Sequence, residues 1–206
     1  MNRKTILCAL LALCGTAAWG QYQDYSRMGR TPAELLFLTD PLEIPLKEPS
    51  WFFGGAEKDP PAEQLAYAQG LEREGRREAA IEAYDDLVRH WHATPEALTA
   101  QLSIARLRSA AGETQLAYDE DIYLLAHYNG RFELTPILED ATAQADLLAQ
   151  RELDRSLRLT SGNGLRQNYE RIIHFAPRWR RVPDLLLSIA NLYCEDEEYA
   201  SAITVC

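Results

Sequence analysis

A shift of 37 residues lays one stretch of this 206-residue chain over the next. Ala68, Leu71, Gly75, Ala80, Ile81, Tyr84, Leu87 and Val88 fall on Ala105, Arg108, Gly112, Ala117, Tyr118, Asp121, Leu124 and Leu125. The small residues, the glycine and the closing aliphatics match, while Arg108 and Asp121 do not. From Ala62 onward apolar residues recur at three and four, the period of a helix. A pair of short helices cannot bury its apolar stripe alone, so repeated pairs must stack. The columns say how. Ala68 and Ala80 let the two helices of a hairpin approach closely. Gly75 supplies the positive φ that ends the first helix. Tyr84 and Leu87 lie three apart on one face of the second helix and fill the groove between hairpins.

Two further units follow. The third has its first helix around Pro136 to Arg151, with Ala145 in the small column. Its second helix carries Leu165, Tyr169, Ile172 and Ile173 before Pro177. Ala145 to Leu165 spans 20 residues where Ala68 to Ala80 spans 12, so about eight residues are inserted, around Leu157 to Gly164. The fourth unit holds Ala190, Tyr193, Tyr199, Ala202 and Ile203, and Leu165 to Ala202 is again 37 residues. The expected fold is all-α, a repeat domain over residues 62–206 with units at about 62–95, 96–132, 134–180 and 181–206. Solenoids need a polar terminal cap. The apolar ending Ala200 to Cys206 lacks one, which points to a truncated reading frame.

The first twenty residues read as an address. Arg3 and Lys4 precede an uncharged apolar run from Ile6 to Leu13, and small residues follow through Gly20. This is the pattern of a secretory signal, cleaved after Ala18 or Gly20. The run is too short to cross a bilayer of roughly 30 Å. Leu13 before Cys14 is a poor fit to a lipidation signal. The expectation is an exported chain in the periplasm, held to a membrane peripherally or through a partner, without a lipid anchor at Cys14.

Residues 21–61 show no sustained period, and Pro41, Pro45, Pro49, Pro60 and Pro61 favour extended backbone. This segment reads as an irregular, Pro-rich linker. Trp51, Phe52 and Phe53 stand together within it and want a partner surface, either the chain's own first helices or another protein.

Charge narrows the partners. Against 21 Lys and Arg stand 31 Asp and Glu, a formal charge of −10, which becomes −12 once Arg3 and Lys4 leave with the signal. Nucleic-acid binding runs on clustered cations, so it is not expected. His90 and His92 are two apart and diverge on a helix, so they make no i, i+4 metal pair. There is no nucleophile elbow or phosphate-cradling glycine loop. A glycosidase needs two opposed carboxylates, and no recognisable motif supplies them. The chain therefore reads as non-enzymatic, with no cofactor or metal. Ser161 to Gly164 reads as a turn in the insertion. Cys194 and Cys206 are two free thiols or a bridge.

Binding in helical solenoids uses the concave face, lined by the first helix of each hairpin. Registration places Leu65, Gln69, Glu72 and Arg73 there in the first unit, and Leu102, Arg106 and Ser109 in the second. Arg73 or Arg106 offers bidentate hydrogen bonds to a peptide carboxylate, unless both are simply solvated. Trp179 and Arg180, with Arg178 and Arg181, form a candidate docking patch. The bland alternative is attraction between that surface and the acidic run Glu195 to Glu198.

Ala68, Gly75, Ala80, Tyr84 and Leu87, with Tyr169, Ile172 and Pro177, resemble the tetratricopeptide repeat family over roughly residues 62–206. The family's Trp near the start of the first helix is absent, and the period exceeds its usual 34. The resemblance implies a right-handed superhelical solenoid of about three and a half repeats.

A narrower resemblance rests on the export signal, the Pro-rich lead, the runs Ala66 to Leu71, Glu78 to Tyr84 and Tyr123 to Gly130, and the insertion before Asn168 to Ile173. Together these are similar to the BamD family of outer-membrane β-barrel assembly lipoproteins. That resemblance implies a periplasmic scaffold for unfolded outer-membrane proteins or for the assembly machinery itself. The general alternative is a periplasmic repeat protein coordinating envelope or Tol-type machinery.

Overall fold

A computed structural model of the chain describes residues 43–49, 55–154 and 163–205. Among the described residues there are eight helices and no strand. They divide between two compact units, one over residues 43–151 and one whose described part is 152–154 and 163–205. The signal segment, Trp51 to Phe53 and most of the expected insertion lie outside the described residues.

The first unit begins with residues 43–49, which have no helix or strand. Helices α1 (Pro61–Arg73), α2 (Arg77–His90), α3 (Pro95–Ala110) and α4 (Thr114–His127) follow, each packed on the next. Helix α5 (Leu134–Asp154) belongs to this unit as far as Arg151. The starts are set by chemistry in the sequence. Pro61 and Pro95 open α1 and α3, where a missing N–H costs nothing. Thr94 caps α3, its hydroxyl oxygen accepting from the Ala97 amide at 3.2 Å.

The small columns are where the helices meet. Ala68, Ala80 and Ala117 are fully buried, and Ala105 nearly so. Tyr84, Leu87, Leu124 and Tyr128 complete the core with no exposed surface. The two mismatched positions of the repeat behave differently. Arg108 reaches Glu113 at 2.6 Å, whereas Asp121 stays buried with 4% exposed.

Gly75 and Gly112 have φ of +75° and +70°. Arg76 N–H donates to the Leu71 carbonyl at 3.0 Å and Gly75 N–H to Glu72 at 2.9 Å. Glu113 N–H donates to Arg108 at 3.1 Å and Gly112 N–H to Ser109 at 2.9 Å. Both are Schellman closures with glycine in the left-handed position.

The second unit contains α6 (Asn163–Phe175), α7 (Val182–Glu195) and α8 (Tyr199–Val205). Asn163 and Gly164 are already helical, so α6 starts earlier than a turn over Ser161 to Gly164 requires. Ile172, Ile173, Leu185 and Ile189 form the centre of its core. The end of α7 repeats the Schellman closure, with Glu198 N–H on the Tyr193 carbonyl at 2.8 Å and Glu197 N–H on Cys194 at 3.2 Å. Here Glu197, at φ 64°, stands where the first two turns have glycine. A Cβ in that conformation costs on the order of 1 kcal/mol. Gly75→Ala should therefore lower stability by about 1 kcal/mol and Glu197→Gly should raise it by a similar amount. Urea denaturation of the two variants checks this, and a stabilised Gly75→Ala chain would contradict it.

Candidate functional site

A buried glutamine recurs at the 37-residue shift. Gln64 and Gln101 are both fully buried. Each donates its side-chain amide to a carbonyl on the second helix of its hairpin, Gln64 Nε2 to Ala83 at 2.9 Å and Gln101 Nε2 to Glu120 at 3.4 Å. That bond holds the amide in one orientation and aims its oxygen at the chain that precedes α1. In the first hairpin Gln64 Oε1 accepts from the Lys58 backbone N–H at 2.9 Å. In the second, Gln101 Oε1 accepts from the Lys47 ammonium at 3.2 Å. The lead thus crosses the second hairpin first and the first hairpin next, meeting one glutamine on each.

Lys47 is the centre of this contact. Its Nζ lies 2.9 Å from Asp85 Oδ1 on α2 and 2.6 Å from Glu120 Oε2 on α4. With Gln101, the three acceptors match the three N–H donors of an ammonium. The charge also sits 5.0 Å above the Tyr123 ring. Only 16% of the Lys47 side chain is exposed.

The backbone on either side is held too. Lys47 N–H donates to Tyr123 Oη at 3.3 Å. Arg89 Nη1 donates to the Glu48 carbonyl at 2.8 Å while its Nε bonds Asp85. The backbone of Ile44 and Pro45 lies beside His127 and lifts its pKa.

Within residues 43–49 only Ile44 and Lys47 are partly buried; the other five are exposed. A spacing of three between inward residues, with Pro45 and Pro49 nearby, is the repeat of a polyproline helix. The receiving surface is aromatic. His92, Tyr123, His127 and Tyr128 cluster, with Tyr123 and His127 centroids 4.4 Å apart and His92 and Tyr128 4.9 Å apart.

Electrostatics follow from this packing. Burial alone would raise the Asp85 carboxyl, but the Lys47 ammonium, helped by Arg89, holds it below its ordinary value. Burial lowers His127, partly offset by the Ile44 and Pro45 backbone, and lowers His92, where the His127 charge adds to the effect. Burial raises the Tyr123 hydroxyl, so it stays protonated.

The concave-face residues read from sequence occupy α1 and α3. Leu65 and Leu102 are half-buried; Gln69, Arg73 and Arg106 are exposed. Arg73 Nε donates to the Gln69 carbonyl at 3.2 Å. Arg106 Nη2 pairs with Glu72 Oε1 across the two helices. Tyr84 donates its hydroxyl to the other Glu72 oxygen at 2.8 Å. Glu72, despite some burial, is held below its ordinary pKa by Arg106 and Tyr84, while burial and that carboxylate push the Tyr84 hydroxyl up to about 12. Arg106 is therefore already matched to a carboxylate. Ser109, placed on the same face, accepts a hydrogen bond at 3.1 Å from Gln144 on α5.

In the second unit Trp179 is half-buried in the turn before α7 and Arg180 is exposed. The Arg181 guanidinium lies 5.6 Å from the Trp179 ring centroid. The acidic turn after α7 is met by a residue that sequence reasoning passed over. Arg166, only 4% exposed, bonds Asp196 at 2.6 Å and stacks 4.1 Å from the Tyr193 ring.

No family model, curated protein or solved structure matches the chain. Its described residues define packed helices in each of two units, the first two hairpins sharing one 37-residue pattern. None of these helices is long and apolar enough to cross a membrane.

Proposed function

We propose that this chain is a non-enzymatic protein-binding scaffold, a right-handed solenoid of tetratricopeptide-like hairpins. Its setting in this reading is the periplasm, at the assembly of outer-membrane β-barrel proteins. The observation that carries the binding role is the repeated glutamine. Each of the first two hairpins builds a fixed hydrogen-bond acceptor, and the lead meets both, through the Lys47 side chain in an irregular segment and the Lys58 amide in a bend. A stack of hairpins with such acceptors is suited to holding polypeptide rather than to transforming a small molecule. The envelope setting rests on the basic-apolar-small leader and on the resemblance to the BamD family.

The test is affinity purification of the tagged full-length chain from envelope extracts of its own source. An outer-membrane insertase barrel should co-purify. Recovery of a peptidoglycan-associated or Tol-type partner alone would move the chain to the envelope-coordination reading. Cleavage of cell wall in a zymogram would sink the non-enzymatic one.

A further inference from the structure

We infer that the surface formed by α2, α4 and Gln101 is an exchangeable peptide groove, that residues 43–49 are its built-in occupant, and that its external ligand is an extended, proline-containing segment of a partner protein with a lysine three residues after an aliphatic side chain. This rests on the scaffold reading and names the ligand chemistry for it.

Three observations carry the inference. The first is that the occupant is held partly through its backbone. Tyr123 and Arg89 meet main-chain atoms of Lys47 and Glu48. Such contacts accept any chain of the right shape, so they do not require this particular segment. The second is that selectivity is concentrated at one side chain. Asp85, Glu120 and Gln101 surround an ammonium with one acceptor for each donor. An aliphatic residue there would leave Glu120 without this cation and Asp85 with Arg89 alone, and an acidic residue would add a third carboxylate. The third is that the spacing of Ile44 and Lys47, the flanking prolines and the aromatic floor fit a polyproline-type ligand, which loses little entropy on docking.

An occupant tethered in cis competes at an effective concentration of about millimolar or more. A free peptide should therefore bind the intact chain poorly and a chain with a weakened occupant well. The probe is a fluorescein-labelled peptide of residues 43–49, read by anisotropy against the full-length chain. Lys47→Ala in the chain should tighten its binding at least tenfold over wild type. The same peptide with alanine for lysine should bind that variant at least tenfold more weakly, and adding Glu120→Gln to the variant should have a similar effect.

Far-ultraviolet circular dichroism establishes that each variant is folded. If Lys47→Ala does not fold, hydrogen exchange on the wild type replaces it, because excess peptide should speed exchange of the Lys47 amide. Equal binding of the two peptides, no binding to the folded variant, or unchanged Lys47 exchange overturns the inference. Wild-type dimers that Lys47→Ala abolishes would assign the groove to a second copy and also overturn it. Failure in these assays leaves co-purification with an insertase untouched, so the two readings fall separately.

Discussion

Replacing Asp121 with asparagine is expected to stabilise the chain at pH 8 and to do little at pH 4. Asp121 lies on the buried face of α4 with 4% of its surface exposed. Burial, with Asp140 and Glu120 nearby, pushes its carboxyl up to about 8. Among the described residues no lysine or arginine pairs with it. The folded state therefore holds a proton that the unfolded chain releases near its ordinary value of 3.8. Between those two values the unfolded state binds fewer protons, so stability falls as pH rises, by at most about 1.4 kcal/mol per unit. Above about pH 8 the folded form also ionises and the loss levels off.

Asparagine keeps the shape and removes the titration. From pH 5 to pH 8 the wild type should lose about 3 kcal/mol relative to Asp121→Asn, a difference of roughly 5–10 °C in melting temperature for a chain of this size. Thermal melts of both proteins across that range provide the measurement. Parallel curves would mean that Asp121 is ionised throughout.

The second large effect is expected at Leu124. It occupies the same column as Leu87, and both are fully buried. Leu124→Ala should cost about 2–5 kcal/mol, the transfer term plus a cavity that close-packed neighbours cannot collapse. Leu116, on the same helix with 46% of its surface exposed, supplies the control. Its alanine variant should change stability by less than about 0.5 kcal/mol. Urea midpoints for the pair decide the matter. Similar values would show that the repeat columns do not mark the core.

Those columns were legible because their causes are local. A small residue where two helices touch, a glycine in the left-handed turn, and an aliphatic at the closing position each leave a mark at a fixed distance. Ala68, Gly75, Ala80 and Leu87 could be matched to Ala105, Gly112, Ala117 and Leu124 without coordinates. The buried glutamines obey the same shift and were readable too. They passed unnoticed because a polar residue among apolar columns looks like surface.

The lysine pocket had no such mark. Lys47 precedes the repeats, and its acceptors come from three different helices at positions 85, 101 and 120. In sequence each is one more charged or amide residue in an acidic chain. Ile44 and Lys47 lie three apart, but the sequence does not show that these two are the inward-facing residues. Arg106 shows the converse difficulty. Registration put Glu72 in the first unit and Arg106 in the second, yet helix geometry within one segment cannot show that the two are paired.

The Lys47 contact also bears on how the array comes apart. A stack in which each hairpin touches only its neighbours tends to fray from its end, because the terminal hairpin has one interface to lose. Lys47 bridges Asp85 on the first hairpin and Glu120 on the second, while the Lys58 amide ties the lead to Gln64. The first hairpin cannot peel away while that lead stays seated. Among the described residues, the joint between the first two hairpins should thus open only when the lead is released, turning a stepwise unzipping there into a single cooperative event.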